Sequence, residues 1–121
     1  MGRLRVWGRS NMEKKGILFV DDMREVYGKV KKYLGYIMDY ASTEEQGLKL
    51  IEKNNYGLII TDYDLNDEFH SSGLNIVKAA KEKGLVSLLI SRENHREEAL
   101  EAGANGFMFK KDFLKIFGQD G

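Results

Sequence analysis

Ile17-Leu18-Phe19-Val20-Asp21-Asp22 decides the fold: four consecutive apolar residues run straight into two carboxylates. An amphipathic helix or a strand with one wet face would interrupt such a run with polar residues, whereas a strand buried on both faces need not. Leu58-Ile59-Ile60-Thr61-Asp62 repeats the pattern, and Val86 to Ile90, apolar apart from Ser87, runs into Ser91. Tyr36 to Tyr40 and Phe107 to Phe109 are weaker strand candidates, which brings the expected number to five.

Segments with helical spacing separate these runs. Met23, Val26, Val30 and Leu34 form one apolar stripe, Leu48 and Ile51 a second, and Leu74, Val77 and Ala80 a third. Ser42 with Glu45 and Thr43 with Gln46 are two overlapping capping boxes for the start of the second helix. A fourth helix is expected from about Asn94 to Ala102, and a short fifth from Asp112 with Phe113, Ile116 and Phe117 facing inward. Gly35, Gly84 and Gly103 stand where helices should stop. Strands alternating with helices from end to end predict an α/β domain with a parallel sheet and right-handed crossovers, whose binding site lies at the carboxyl ends of the strands.

Composition narrows the function. The 121 residues, 42% hydrophobic, suffice for one core, and 19 basic against 19 acidic residues leave no net field toward nucleic acid or an acidic membrane. Cysteine is absent, which removes thiolate chemistry, and the two histidines, His70 and His95, are far apart. The longest apolar stretches, Gly57 to Ile60 and Leu85 to Ile90, fall far short of the ~20 residues that span a bilayer, so a soluble protein without membrane insertion is expected, and the absence of cysteine is compatible with the expected cytoplasmic location. Residues 1–14, with Arg3, Arg5 and Arg9, read as a disordered basic tail, possessing no signal-peptide core, before a domain over residues 15–121.

The expected rim then holds Asp21 and Asp22 after the first strand, Asp62 after the third, Ser91 after the fourth and Lys110 after the fifth. Three converging carboxylates repel one another and need protons or a cation. Mg²⁺, or the similar Mn²⁺, suits all-oxygen donors. A lysine and a hydroxyl on the same rim suit a phosphoryl group, with Asp62 as nucleophile.

Four blocks, Ile17 to Asp22, Leu58 to Asp62, Leu89-Ile90-Ser91 and Gly103-Ala104-Asn105-Gly106-Phe107-Met108-Phe109-Lys110, resemble in kind and order the signatures of response-regulator receiver domains. The similarity covers about Lys15 to Phe117. It implies a five-stranded parallel sheet in the order 2-1-3-4-5 flanked by five helices, the flavodoxin-like receiver fold. It implies Asp62 as phosphoacceptor, Asp22 and Asp62 as direct Mg²⁺ ligands, Asp21 acting largely through water, and the backbone carbonyl of Asp64 as a further ligand. Ser91 and Lys110 would contact the phosphoryl group and Phe107 would be the aromatic switch. The implied partners are a sensor histidine kinase or histidine phosphotransfer protein and a separate downstream effector, with the chain a monomer or weak dimer that does not itself contact nucleic acid.

The chain departs from that pattern in three places. The segment after the acceptor, Asp62-Tyr63-Asp64-Leu65-Asn66, lacks the usual proline, and the longer loop before Gly73 carries Asp67, Glu68 and His70. Arg92 follows Ser91 where the family has a small residue, and Lys111 follows Lys110 where it often has a cis proline. Two other functions fit less of the sequence. An unphosphorylated receiver-like interaction module would not need all five site residues. A haloacid-dehalogenase-like phosphatase would use Asp62-Tyr63-Asp64 but give the Asp21-Asp22 strand no role. His95 and the two tyrosines Tyr56 and Tyr63 read as a solvated helix-start residue and as packing residues.

Overall fold

A computed structural model describes residues 14–34, 37–65 and 72–118. The elements alternate as expected: β1 Lys14–Val20, α1 Arg24–Leu34, β2 Met38–Ala41, α2 Glu44–Lys53, β3 Asn55–Asp62, α3 Ser72–Glu82, β4 Ser87–Ser91, α4 Arg96–Ala102, β5 Gly106–Phe109 and α5 Lys110–Phe117. All pairings are parallel and the sheet order is β2-β1-β3-β4-β5. The α/β receiver-type architecture expected from the sequence is thus the architecture found.

The continuous apolar run of β1 is explained by what lies on each side of it. Successive strand side chains point to opposite faces. Leu18 and Val20 enter a core with Ile51 of α2 and Ile76 of α3, while Ile17 and Phe19 enter another with Val26 and Val30 of α1 and Phe113 of α5. A third cluster joins Val77, Leu89, Ala99, Ala104 and Phe107 between α3, α4 and the β4–β5 edge. Both faces of the sheet are covered, so the covered runs of the central strands, ahead of Asp62 and Ser91 at their ends, are apolar apart from the small buried residues Thr61 and Ser87.

Several boundaries differ from the sequence expectation. Strand β1 already includes Lys14, one residue inside the expected tail, and β2 is shifted to Met38–Ala41. Helix α2 takes Thr43 as its N-cap: Thr43 Oγ1 accepts from the Gln46 N–H at 3.1 Å, and Gln46 Oε1 reaches back to accept from the Ser42 N–H at 2.9 Å. Helix α4 starts at Arg96 and ends on Gly103 at φ 110°, a left-handed C-cap that a side chain would strain. Helix α5 begins two residues earlier than expected, at Lys110, and its buried side carries Phe113 with Leu114 and Phe117 packed at the edge. Ile116 is 49% exposed, so its expected inward orientation is wrong. Gly35, the loop residues Asp67, Glu68 and His70, and residues 1–13 of the expected tail lie outside the described residues.

One glycine fixes where the site sits. A Cβ at Gly73, in the first turn of α3, would lie 2.0 Å from the Asp62 carbonyl oxygen and 2.8 Å from the Tyr63 Cα. Only a residue without a side chain lets α3 close on the end of β3, where the Gly73 N–H donates to the Tyr63 carbonyl at 2.9 Å.

Candidate functional site

Parallel strands of this order end side by side, and the residues after them meet in one cavity of about 740 Å³. Its walls include Asp22, Asp62, Asp64, Ser91, Arg92, His95 and Lys110. Oxygens of Asp21, Asp22 and Asp62 lie within 4.8 Å of one another, with Asp21 and Asp62 buried and Asp22 half-buried. Asp21 and Asp22 follow β1 directly, and Asp62 and Ser91 are the last residues of β3 and β4. Lys110 is not the end of β5 but the first residue of α5. With lysine and not proline at position 111, nothing bars Lys110 from helical backbone angles. The Lys110–Lys111 peptide is trans, as are all peptides among the described residues.

Lys110 is the organising cation. Its Nζ donates to Asp62 Oδ2 at 2.9 Å and lies 3.0 Å from Asp21 Oδ2, with all three side chains almost wholly buried. The Lys110 ammonium engages one lone pair of Asp21 Oδ2, and a carboxylate oxygen has a second that can face another electropositive group. Asp21 Oδ1 accepts from the Met23 N–H at 2.8 Å, which turns the chain into α1. Asp62 Oδ1 accepts from the Tyr63 N–H at 2.9 Å.

These groups shift one another's acidity. Burial pushes the Asp62 carboxyl up to about 6, opposed by the hydrogen bond and charge of Lys110 and reinforced by Asp21. Burial likewise raises Asp21, against the Met23 N–H and Lys110. For Lys110 burial acts to lower the value, but the hydrogen bond and charge of Asp62, with Asp21 behind them, outweigh it and the ammonium is favoured. One ammonium faces two buried carboxylates, so the centre carries excess negative charge that a cation or a proton must meet.

The remaining expected residues fall into place around this centre. Ser91 is buried, and its Oγ accepts from the Glu93 N–H at 3.1 Å, which leaves the hydroxyl proton for another acceptor. Asp64 is exposed on the cavity wall. Arg92 reaches across the cavity to the Met23 sulfur at 3.7 Å. Phe107 is set back from the cavity: its ring is buried, meets Phe109 edge-on at 5.4 Å and is covered by the Arg96 guanidinium at 5.1 Å.

The sequence reading missed a cluster at the cavity mouth. The Tyr63 and His95 rings stack at 3.6 Å with 1° between planes, and His95 Nδ1 lies 2.6 Å from Glu98 Oε1. A histidine before a helix with a glutamate three residues on is a visible signal, but its stacking partner is remote in sequence. Tyr56 is buried as a packing residue, and its hydroxyl also donates to Asp39 at 2.6 Å at the far end of the sheet.

Known proteins share this fold. A response regulator receiver domain protein (CheY-like) from Methanospirillum hungatei superposes with a TM-score of 0.70 and 27% identity over 84% of this chain and 89% of that one. A response regulator from Burkholderia pseudomallei, solved with a phosphorylated aspartic acid, calcium ion and citrate, gives 0.72 at 20% identity over 88% of this chain and 67% of that one. The receiver domain of a Francisella response regulator gives 0.69 at 22% over 85% and 92%. A search of the curated proteins found no match. The family model of the response regulator receiver domain matches residues 17–116, from β1 into α5 and through every strand end that lines the cavity. By that match the chain belongs to the response regulator receiver domains of two-component signalling.

Proposed function

We propose that the domain accepts a phosphoryl group on Asp62 and relays its presence to a separate effector. The carrying observation is the Lys110 ammonium 2.9 Å from Asp62 Oδ2 beside two further carboxylates. A lone carboxylate would be neutralised by lysine, whereas three clustered carboxylates against one ammonium retain negative charge, which fits a hard divalent cation. Asp21, Asp22 and Asp62, with the Asp64 carbonyl, would hold Mg²⁺ or Mn²⁺. When bound, the ion supplies positive charge beside the transferring phosphoryl oxygens.

The chain's own residues account for the rest. The ionised Asp62 attacks phosphorus, and the bond from phosphorus to the donor's imidazole nitrogen or acyl oxygen breaks as the new one forms. Lys110 neutralises charge on the phosphoryl oxygens and the Ser91 hydroxyl donates to one of them. Ser91 drawn toward the phosphoryl group opens space behind it for Phe107, which changes the surface of α4, β5 and α5. Donors are a sensor histidine kinase or histidine phosphotransfer protein in the cytoplasm, and the effector is a separate protein. The domain, which begins with β1 at Lys14, acts in signalling and turns over no other substrate.

The test is Mg²⁺-dependent phosphoryl uptake from acetyl phosphate. Wild type should take up a hydroxylamine-sensitive phosphoryl group that chelator abolishes and Asp62→Asn lacks. Uptake by neither protein would leave an interaction module that works unphosphorylated.

A further inference from the structure

Building on that reading, we infer that His95 is a positioning residue for the Asp62 chemistry, acting through the ring of Tyr63. His95 stands at the N-cap of α4 and makes no capping hydrogen bond, so its ring nitrogens are not committed to the helix end. Its Nδ1 is instead directed at the Glu98 carboxylate at 2.6 Å, so Nδ1 carries the proton there, since a carboxylate only accepts. That bond fixes the plane of the imidazole. The Tyr63 ring lies flat against it at 3.6 Å, and the Tyr63 hydroxyl donates to the same carboxylate at 3.3 Å.

The consequence for the reaction lies in the Tyr63 backbone. Its N–H is shared between the Ile90 carbonyl and Asp62 Oδ1, both at 2.9 Å. A donor divided between two acceptors is aimed by small rotations of its peptide, and the clamped ring sets that rotation. Glu98 and His95 thus hold Tyr63, and Tyr63 holds the carboxylate that must approach phosphorus in line. Position counts steeply in such reactions.

The experiment measures initial rates of phosphoryl uptake from acetyl phosphate at saturating Mg²⁺ for wild type, His95→Ala, His95→Phe, Tyr63→Leu and the His95→Ala/Tyr63→Leu pair. His95→Ala should be slower by roughly threefold to tenfold, the range in which one aromatic pair acts, with folding and Mg²⁺ affinity unchanged. His95→Phe, which keeps a flat partner for Tyr63, should recover most of the rate. The double variant should be no slower than Tyr63→Leu alone, because both changes break one connection. If wild type is phosphorylated and His95→Ala matches it, the inference falls while the function stands. His95→Phe as slow as His95→Ala, or additive losses, also overturns it. If wild type takes up nothing, the functional reading fails and the inference with it.

Discussion

Lys110 Nζ sits 2.9 Å from Asp62 Oδ2, and both side chains are almost fully withdrawn from water. Removing one partner of a buried pair leaves the other charge uncompensated, at a cost of about 3–5 kcal/mol. Asp62 and Asp21 are able to take up a proton instead, so Lys110→Met should lower stability at pH 7 by about 3 kcal/mol in chelated buffer. Added Mg²⁺ should recover part of that loss. Urea unfolding with and without Mg²⁺ checks both statements.

The pH dependence has an unusual sign for a carboxylate. The folded Asp62 carboxyl titrates at about 6, above the ordinary aspartate value of 3.8. Between those values the folded chain binds more protons than the unfolded one, so this group's contribution to stability falls as pH rises from about 4 to about 6. Above about 6 the penalty is complete, and below about 4 it is gone. In Mg²⁺-free buffer the stability difference between Asp62→Asn and wild type should grow in favour of the variant across that window. A difference that is flat with pH would contradict the assignment.

Gly73→Ala should destabilise the domain by about 2–3 kcal/mol, within the range for overpacking, because the added methyl meets the Asp62 carbonyl oxygen at 2.0 Å and backbone must move. It should also weaken Mg²⁺ binding, since the displaced segment carries Asp62 and Asp64. Thermal unfolding and a Mg²⁺ titration of the same sample read the two effects separately.

The fold was legible because the chain spells it with buried strands. Ile17 to Val20 and Leu58 to Ile60 needed no polar alternation once both faces are covered by helices. The candidate site was legible for the same reason, since knowing which residues follow the strands is enough to bring Asp21, Asp22, Asp62 and Ser91 to one end. Local competition hid the details. Lys110 reads as the end of β5 until the missing proline is taken as permission to enter α5 at once. Ile116 shares helical spacing with Phe113 and Phe117, yet the buried stripe turns toward Leu114 and leaves it at the edge. The stack of Tyr63 on His95 joins two loops across the cavity, and no spacing rule reaches between them.

Binding of beryllofluoride with Mg²⁺, a phosphoryl mimic, should shift the amides of residues 92 to 117 in wild type. Ser91→Ala should respond less, because a charge-assisted hydrogen bond of ~1.5–3 kcal/mol is missing from the state that must be favoured. Arg96 covers the Phe107 ring, so Arg96→Ala should alter the Phe107 ring resonances before any mimic is added. Equal responses in wild type and Ser91→Ala would break the proposed link from the cavity to this surface.

The central claim is that Asp62 carries the phosphoryl group, and peptide mapping by mass spectrometry after acetyl phosphate and Mg²⁺ treatment tests it most directly. The account predicts one added phosphoryl group, located on Asp62 within the β3 peptide and absent from Asp62→Asn. A modification located on Asp64 or His95, or one that persists in Asp62→Asn, would contradict it.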